Sequence, residues 1–239
     1  MFVNYAHRGA SAYAPENTMV SFRMGLEMGA NGIETDVQET KDGVLVLFHD
    51  KTIERCSNGV GRVSDYTYSE LLELDFGSWK GEKYRGEPIA AFEDFAREFF
   101  PMDITFAIEL KSPGIERKVY DIIKRYAVHD KIYVSSFDFE NLRAMSLVSD
   151  EIKLCWLMVG EITQEHLDKV KSIGGVQIAP KCAFVTPEGV ALAKANGIGV
   201  RLWGTSDEEI MRKVYTLDTE GMTVNFPDKL AQLMAEDRK

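Results

Sequence analysis

The chain is poor in the residues that staple small or extracellular folds. It has only three cysteines, Cys56, Cys155 and Cys182. An odd count without metal-ligand spacing excludes a disulfide framework and predicts buried free thiols in a reducing compartment. Cations are scarce too: 28 lysines and arginines face 38 aspartates and glutamates, a formal net charge of −10. Nucleic-acid backbones and anionic membrane surfaces require a broad basic field, so neither is expected as a partner. A small phosphorylated ligand remains compatible, since one or two local cations and a metal suffice for it. No run is long and apolar enough to span a membrane. The strand-like Phe2-Val3-Asn4-Tyr5-Ala6 begins without a basic leader or a long apolar stretch, which predicts no signal peptide and a cytoplasmic protein.

What is present is an ordinary globular balance, 45% hydrophobic and 28% charged over 239 residues, enough for a single large domain over 1–239. Short β-branched or apolar runs alternate with helical patterns throughout. Strands are predicted near 2–6, 32–37, 104–110, 132–135, 153–158, 176–179, 199–203 and 222–225. Apolar residues at helical spacing lie between them: Met19, Phe22, Met24 and Leu26; Val119, Ile122 and Ile123; Leu142, Met145 and Leu147. Ala30-Asn31-Gly32-Ile33 and Ala195-Asn196-Gly197-Ile198 read as one device used twice, a helix end turned by Asn-Gly into a strand, with Gly174 and Gly221 at similar junctions. Ser206-x-x-Glu209 reads as a capping box, and Thr186-Pro187 as a helix start with proline in the first turn.

Eight strand-then-helix units predict an α/β protein with a parallel sheet closed as a (β/α)8 TIM barrel. An open doubly wound sheet is the rival, weakened because no Gly-x-Gly-x-x-Gly follows the first strand. The alternation is interrupted after the second strand. Residues 50–91, rich in glycine, tyrosine and charge, read as a small insertion at the barrel mouth that walls a pocket, with one short helix announced by Thr67-x-x-Glu70.

Active sites of such barrels lie at the C-terminal strand ends. There the sequence places His7-Arg8-Gly9, Glu34-Thr35-Asp36, His49-Asp50 after the hairpin-like run 44–48, and Glu109-Leu110-Lys111. Residues two apart on a strand share a face, so Glu34 and Asp36 project together, as do Glu109 and Lys111. Three carboxylates gathered at one mouth repel unless a cation neutralises them, and a hard divalent ion, Mg²⁺ or Ca²⁺, suits oxygen ligands. A lone Glu-x-Asp is more often a solvated face or a salt bridge; Glu109 on a neighbouring strand end favours metal. His129 and His166 lie in polar helical or loop contexts and read as surface residues. His7 and His49 each follow an apolar strand run beside acids, which suggests a general base and a general acid in either order. Arg8 and Lys111 supply the charge that a phosphate needs.

These residues resemble the glycerophosphodiester phosphodiesterase family. The matching pieces are His7-Arg8-Gly9, Pro15-Glu16-Asn17-Thr18, Glu34-Thr35-Asp36, His49-Asp50 and Glu109-x-Lys111, with softer matches at Asp75-Phe76-Gly77-Ser78-Trp79, Ser135-Ser136-Phe137 and Trp203. The resemblance implies a barrel with a subdomain inserted after the second strand, and metal-dependent hydrolysis of small glycerophosphodiesters to glycerol 3-phosphate and an alcohol. It implies Glu34, Asp36 and Glu109 as ligands to one divalent cation (Mg²⁺, Ca²⁺ or Mn²⁺), His7 and His49 as acid and base, Arg8 and Lys111 on phosphate, and Trp203 along the glycerol side. The chain departs from the family pattern at Ala90-Ala91-Phe92, Trp203-Gly204-Thr205-Ser206 and Val224-Asn225-Phe226-Pro227. These departures are expected to touch recognition of the alcohol or glycerol and neither histidine. Two other readings stand beside this one: a lysophospholipid or sphingolipid phosphodiesterase of the same superfamily, and a non-catalytic barrel that captures a phosphorylated polyol.

Overall fold

The computed structural model describes residues 2–237 apart from 127 and 206. Among these, nine strands form one sheet: β1 (Val3–His7), β2 (Gly32–Glu39), β3 (Leu45–Leu47), β4 (Thr105–Leu110), β5 (Ile132–Ser136), β6 (Lys153–Met158), β7 (Gln177–Pro180), β8 (Gly199–Leu202) and β9 (Gly221–Val224). Eight run parallel in the order β1, β9, β8, β7, β6, β5, β4, β2, and the β1–β2 pairing closes the ring. The expected (β/α)8 barrel is the architecture found. β3 lies outside the ring, antiparallel to the outer end of β2, with Val37 opposite Leu47.

The helices are α1 (Met19–Glu27), α2 (Tyr68–Leu72), α3 (Phe92–Phe99), α4 (Glu116–Tyr126), α5 (Phe139–Val148), α6 (Gln164–Ser172), α7 (Pro187–Ala195), α8 (Glu208–Tyr215) and α9 (Pro227–Glu236). All but α2 follow a barrel strand or the β2–β3 hairpin and cover the outside of the sheet. The apolar spacing decides which face each helix buries. On α3, Phe92, Phe95, Ala96 and Phe99 point inward while Glu93, Asp94 and Arg97 sit on the other side. The Phe95 ring lies 4.9 Å from Phe22, 5.0 Å from Phe99 and 6.0 Å from Phe106, and all four are fully buried. On α5 the pattern holds for Leu142 and Met145 only; Leu147 is 79% exposed.

The segment between β3 and α3 folds around its own apolar cluster, which includes Phe48, Ile53, Val63, Leu71, Phe76 and Ile89. Its helix α2 begins at the predicted capping box: Thr67 Oγ1 accepts from Glu70 N, and Glu70 Oε2 accepts from Thr67 N. Lys80 and Tyr84 tie the segment to the loop after β1, donating to the carbonyls of Ser11 and Tyr13.

The punctuation differs in part from expectation. Gly197 and Gly174 do turn left-handed, at φ +72° and +69°. At the first junction that conformation belongs to Gly29, at φ +90°, and not to Gly32. Gly32 opens β2, where a Cβ would lie 2.6 Å from Val3 Cγ1; Asn31 instead uses its side chain, accepting from Asn4 N at 2.7 Å. Gly221 likewise serves close approach, since its Cβ would meet the Val3 carbonyl oxygen at 2.6 Å across the β1–β9 seam. Thr186 caps α7 with Pro187 in its first turn, as expected. The proposed box at Ser206 lies outside the described residues; the cap found on α8 is Asp207, which accepts from Ile210 N at 2.9 Å.

The three cysteines are free and buried, and burial pushes the Cys56 thiol up to about 12. No helix among the described residues is long and apolar enough to cross a membrane.

Phe95→Ala is expected to lower stability by about 3–5 kcal/mol, because the ring is enclosed by other rings that cannot collapse into the space. Urea unfolding of the wild type and variant measures it, with Phe95→Leu losing distinctly less.

Candidate active site

Register brings the predicted acids together. His7 pairs with Glu34 across β1 and β2, and Asp36 pairs with Glu109 across β2 and β4. Glu34, Asp36 and Glu109 are 4%, 0% and 6% exposed, and each offers an oxygen within 4.8 Å of the others. Their alternation with Ile33, Val37 and Ile108, which face the helix layer, follows from the two-residue period.

The surroundings divide the charge among them. Burial raises the carboxyl pKa of Glu34 and Glu109, and repulsion from Asp36 adds to it. Burial also opposes ionisation of Asp36, but Arg8, His49, Lys111 and a hydrogen bond from Asn17 outweigh it and hold this carboxyl below its usual range. Arg8 Nε stands 3.0 Å from Asp36 Oδ2, and Lys111 Nζ lies 2.8 Å from Glu109 Oε1 and 3.8 Å from Asp36 Oδ1. Asp36 Oδ1 is buried without a hydrogen-bond partner. A buried carboxylate oxygen without a hydrogen bond, among three hard oxygen donors, fits a divalent cation.

Arg8 reaches this position through backbone strain. It adopts φ +56°, and Gly9 follows at φ +82°, where a Cβ would overlap the Ser21 backbone. Such a residue costs about 1–3 kcal/mol and persists only where its surroundings fix it. Here Arg8 N donates to the Glu34 carbonyl at 2.9 Å, while the Arg8 carbonyl accepts from Asn17 N and Ser21 Oγ, each at 3.0 Å. Arg8 Nη1 donates to Glu16 Oε1 at 2.7 Å.

The two histidines have different partners. His7 Nδ1 lies 2.5 Å from Asn225 Oδ1, which directs Nε2 toward Glu34, 3.9 Å away. Desolvation and the adjacent Arg8 charge push its pKa below the usual histidine value. His49 Nδ1 faces Asp50 Oδ1 at 2.7 Å. Asn225 belongs to one of the stretches that depart from the family pattern, so the expectation that none of them touches a histidine is corrected: β9 delivers this amide onto the His7 ring.

Trp203, beyond β8, donates its indole N–H to the Ala179 carbonyl at 3.0 Å and packs edge-on against Phe137 at 4.9 Å. It joins the apolar side of the interior with Cys155, Leu157 and Ala179 rather than the charged group. An open groove of about 600 Å³ leads to the acids, lined by His49, Lys51, Glu109, Lys111, Phe137 and Asn141. His129 and His166 stand apart: His129 lies 3.7 Å from Glu151, and His166 forms part of the α6 cap with Thr163.

Charge and position alone did not single out Glu16, Asn17, Arg55 or Asn225. Pro15-Glu16-Asn17-Thr18 entered through the family pattern, and His49-Asp50 through its position after the hairpin-like run. Asn225 carries no charge signal, and Arg55 sits in a loop without periodicity.

The sequence profile of the glycerophosphoryl diester phosphodiesterase family matches residues 7–229. The glycerophosphodiester phosphodiesterase of Caldanaerobacter subterraneus subsp. tengcongensis is 34% identical over 235 residues, 96% of this chain and 96% of that protein. The enzyme of the same name from Bacillus altitudinis is 34% identical over 241 residues, 97% and 98% of the two chains. Among solved structures, an Oleispira antarctica phosphodiesterase in complex with the product sn-glycerol-3-phosphate superposes with a TM-score of 0.89 at 26% identity, covering 97% of this chain and 96% of that one. The chain belongs to the glycerophosphoryl diester phosphodiesterase family.

Asn17 carries a separate prediction. It adopts φ +57°, donates to Asp36 Oδ2 at 2.9 Å and accepts from Thr35 Oγ1 at 2.8 Å. Asn17→Ala is expected to cost about 2–4 kcal/mol in urea unfolding, since it leaves buried polar groups unpaired and puts alanine in a left-handed turn.

Proposed function

We propose that this member of the family is an enzyme that hydrolyses small glycerophosphodiesters to glycerol 3-phosphate and an alcohol, with His7 and His49 transferring protons beside one divalent cation. The observation that carries the reading is the convergence of Glu34, Asp36 and Glu109 within 4.8 Å, with a buried oxygen on Asp36 that has no hydrogen bond, next to His7. The Oleispira antarctica relative holds sn-glycerol-3-phosphate as its product, which supports the substrate class.

Glu34, Asp36 and Glu109 would hold Mg²⁺, Ca²⁺ or Mn²⁺, and the bound ion would supply Lewis-acid polarisation of the phosphate. The chain's own groups do the rest. Lys111, at the inner end of the groove, donates N–H to phosphoryl oxygens, and Arg8 adds positive charge where the transition state gains negative charge. With Asn225 holding Nδ1, His7 presents Nε2 to the reacting oxygens; with Asp50 holding Nδ1, His49 does the same from the β3 side. One imidazole takes the nucleophile's proton and the other returns one to the departing alcohol. Trp203 and Phe137 give the carbon face of glycerol an apolar wall. Residues 50–91 act as a subdomain that closes the side of the groove at Lys51. Three unpaired buried thiols support a reducing compartment, the cytoplasm.

An acyl-chain substrate has less support. Of the apolar residues that the 50–91 segment offers for such a chain, Tyr66, Tyr68, Leu71 and Phe76 pack into that segment's own cluster, whereas Leu72 and Trp79 stand exposed.

Phosphate release from glycerophosphocholine and glycerophosphoethanolamine, coupled to a monoesterase and run with Mg²⁺, Mn²⁺ and Ca²⁺ in turn, tests the reading. Chelation is expected to abolish turnover and re-addition of the ion to restore it; activity untouched by chelator removes the metal. His7→Ala and His49→Ala are each expected to lose at least about 100-fold in kcat with the circular dichroism unchanged. A variant that keeps most of its rate removes that histidine from the chemistry. Glu34→Gln is expected to raise the metal concentration needed for half-maximal rate.

A further inference from the structure

A single guanidinium joins the two sides of the mouth. Arg55 lies in the segment between β3 and α3, six positions beyond His49. Its Nη1 and Nη2 donate to Glu16 Oε2 and Oε1 at 2.8 and 2.7 Å, and its Nε donates to Asp50 Oδ2 at 2.5 Å. Each carboxylate passes the connection inward. Asp50 Oδ1 takes His49 Nδ1 at 2.7 Å, and Glu16 Oε1 also accepts from Arg8 Nη1 at 2.7 Å. His49 on one side and Arg8 on the other are thereby tied through one planar group. The Arg55 guanidinium itself lies 5.8 Å from the centre of the Trp79 ring.

Arg55 is 46% exposed, and ion pairs this open to water add little to stability. Three bonds in the plane of one fork instead fix orientation, which a single ammonium cannot do. Asp50 and Glu16 also need a common holder, because they arise from different stretches of chain, one after β3 and one after β1. Glu16 shows the effect of this placement: burial opposes its ionisation, yet hydrogen bonds from Arg55 and the charge of Arg8 hold its carboxyl below the usual value.

We propose that Arg55 is a positioning residue for the reaction. It sets Asp50 against Glu16 and so fixes the His49 ring and the Arg8 guanidinium at one spacing across the phosphate. The proposal rests on the roles given to His49 and Arg8 under Proposed function. It also makes the site's assembly depend on the seating of the 50–91 segment.

The test compares Arg55→Ala, Arg55→Lys, Asp50→Asn and the double variant Asp50→Asn with Arg55→Ala. Arg55→Ala is expected to lose about 10- to 100-fold in kcat with KM within about threefold, the size of effect that a small misplacement of reacting groups produces. Arg55→Lys is expected to remain low. Added methylguanidinium is expected to restore Arg55→Ala and methylammonium is not. The double variant is expected to lose less than the product of the two single losses, since Arg55 and Asp50 share the connection to His49 while the Glu16 branch is Arg55's alone. A readout without turnover keeps the two readings separable: the His49 Nδ1 proton, assigned by its loss in His49→Asn, is expected as a downfield hydrogen-bonded resonance in the wild type and shifted upfield in Arg55→Ala. Retention of more than half of kcat, additive losses in the double variant, or an unmoved resonance overturns the proposal. Failure of the wild type to hydrolyse any glycerophosphodiester sinks the assigned reaction instead, and the resonance still decides whether Arg55 positions His49.

Discussion

Three carboxylates held away from water at the ends of neighbouring strands are the constraint that the rest of the mouth answers. An isolated ionised carboxylate is too costly to bury, so every such group must find a cation, a proton or a hydrogen-bond donor. Asp36, the most enclosed, takes Arg8, Lys111 and Asn17 around it and keeps its charge. Glu34 and Glu109 meet the same cost with fewer compensating charges, and their affinity for protons rises. The left-handed turn at Arg8 makes sense in these terms. Its strain is the means by which a guanidinium from the end of β1 is folded back over the acids on β2.

The barrel makes this convergence repeatable. Because parallel neighbours present residues in register, Asp36 beside Glu109 and His7 beside Glu34 are settled by strand pairing before any loop is placed. The interior then divides: an acidic sector under β1, β2 and β4, and an apolar sector with Leu157, Ala179 and Trp203. Deeper in the interior, the fully buried Arg201 bonds to Thr223 and Gln177, and its charge reaches Glu34 from below.

How far the sequence revealed this depended on the kind of signal. The strands were readable because β-branched runs and the two-residue period are local, and the acids and histidines because they sit where those runs stop. The β2–β3 hairpin was legible from the run that ends at His49. What escaped lies in contacts between distant positions: His7 and Asn225 are 218 residues apart, and Arg55 meets Glu16 across 39. Neutral amides such as Asn17 and Asn225 give no excess of charge to notice. Glycines misled where two physical reasons for glycine look alike on paper. Gly32 and Gly221 serve close backbone approach, while the left-handed turn before β2 falls at Gly29.

β2 outlasts its neighbours, and the hairpin with β3 is built on the surplus. Phe48 N donates to the Asp36 carbonyl at 3.0 Å, and the Gln38 amide donates to the carbonyls of Phe48 and Asp50 at 2.9 and 2.8 Å. His49 is therefore suspended from the same strand that carries Glu34 and Asp36, by ladder bonds rather than by a free loop. One lip of the barrel is stiff as a result. The opposite lip, beyond β5 to β7, has no such hairpin among the described residues and leaves the side chains of Phe137, Val159 and Phe184 open to solvent.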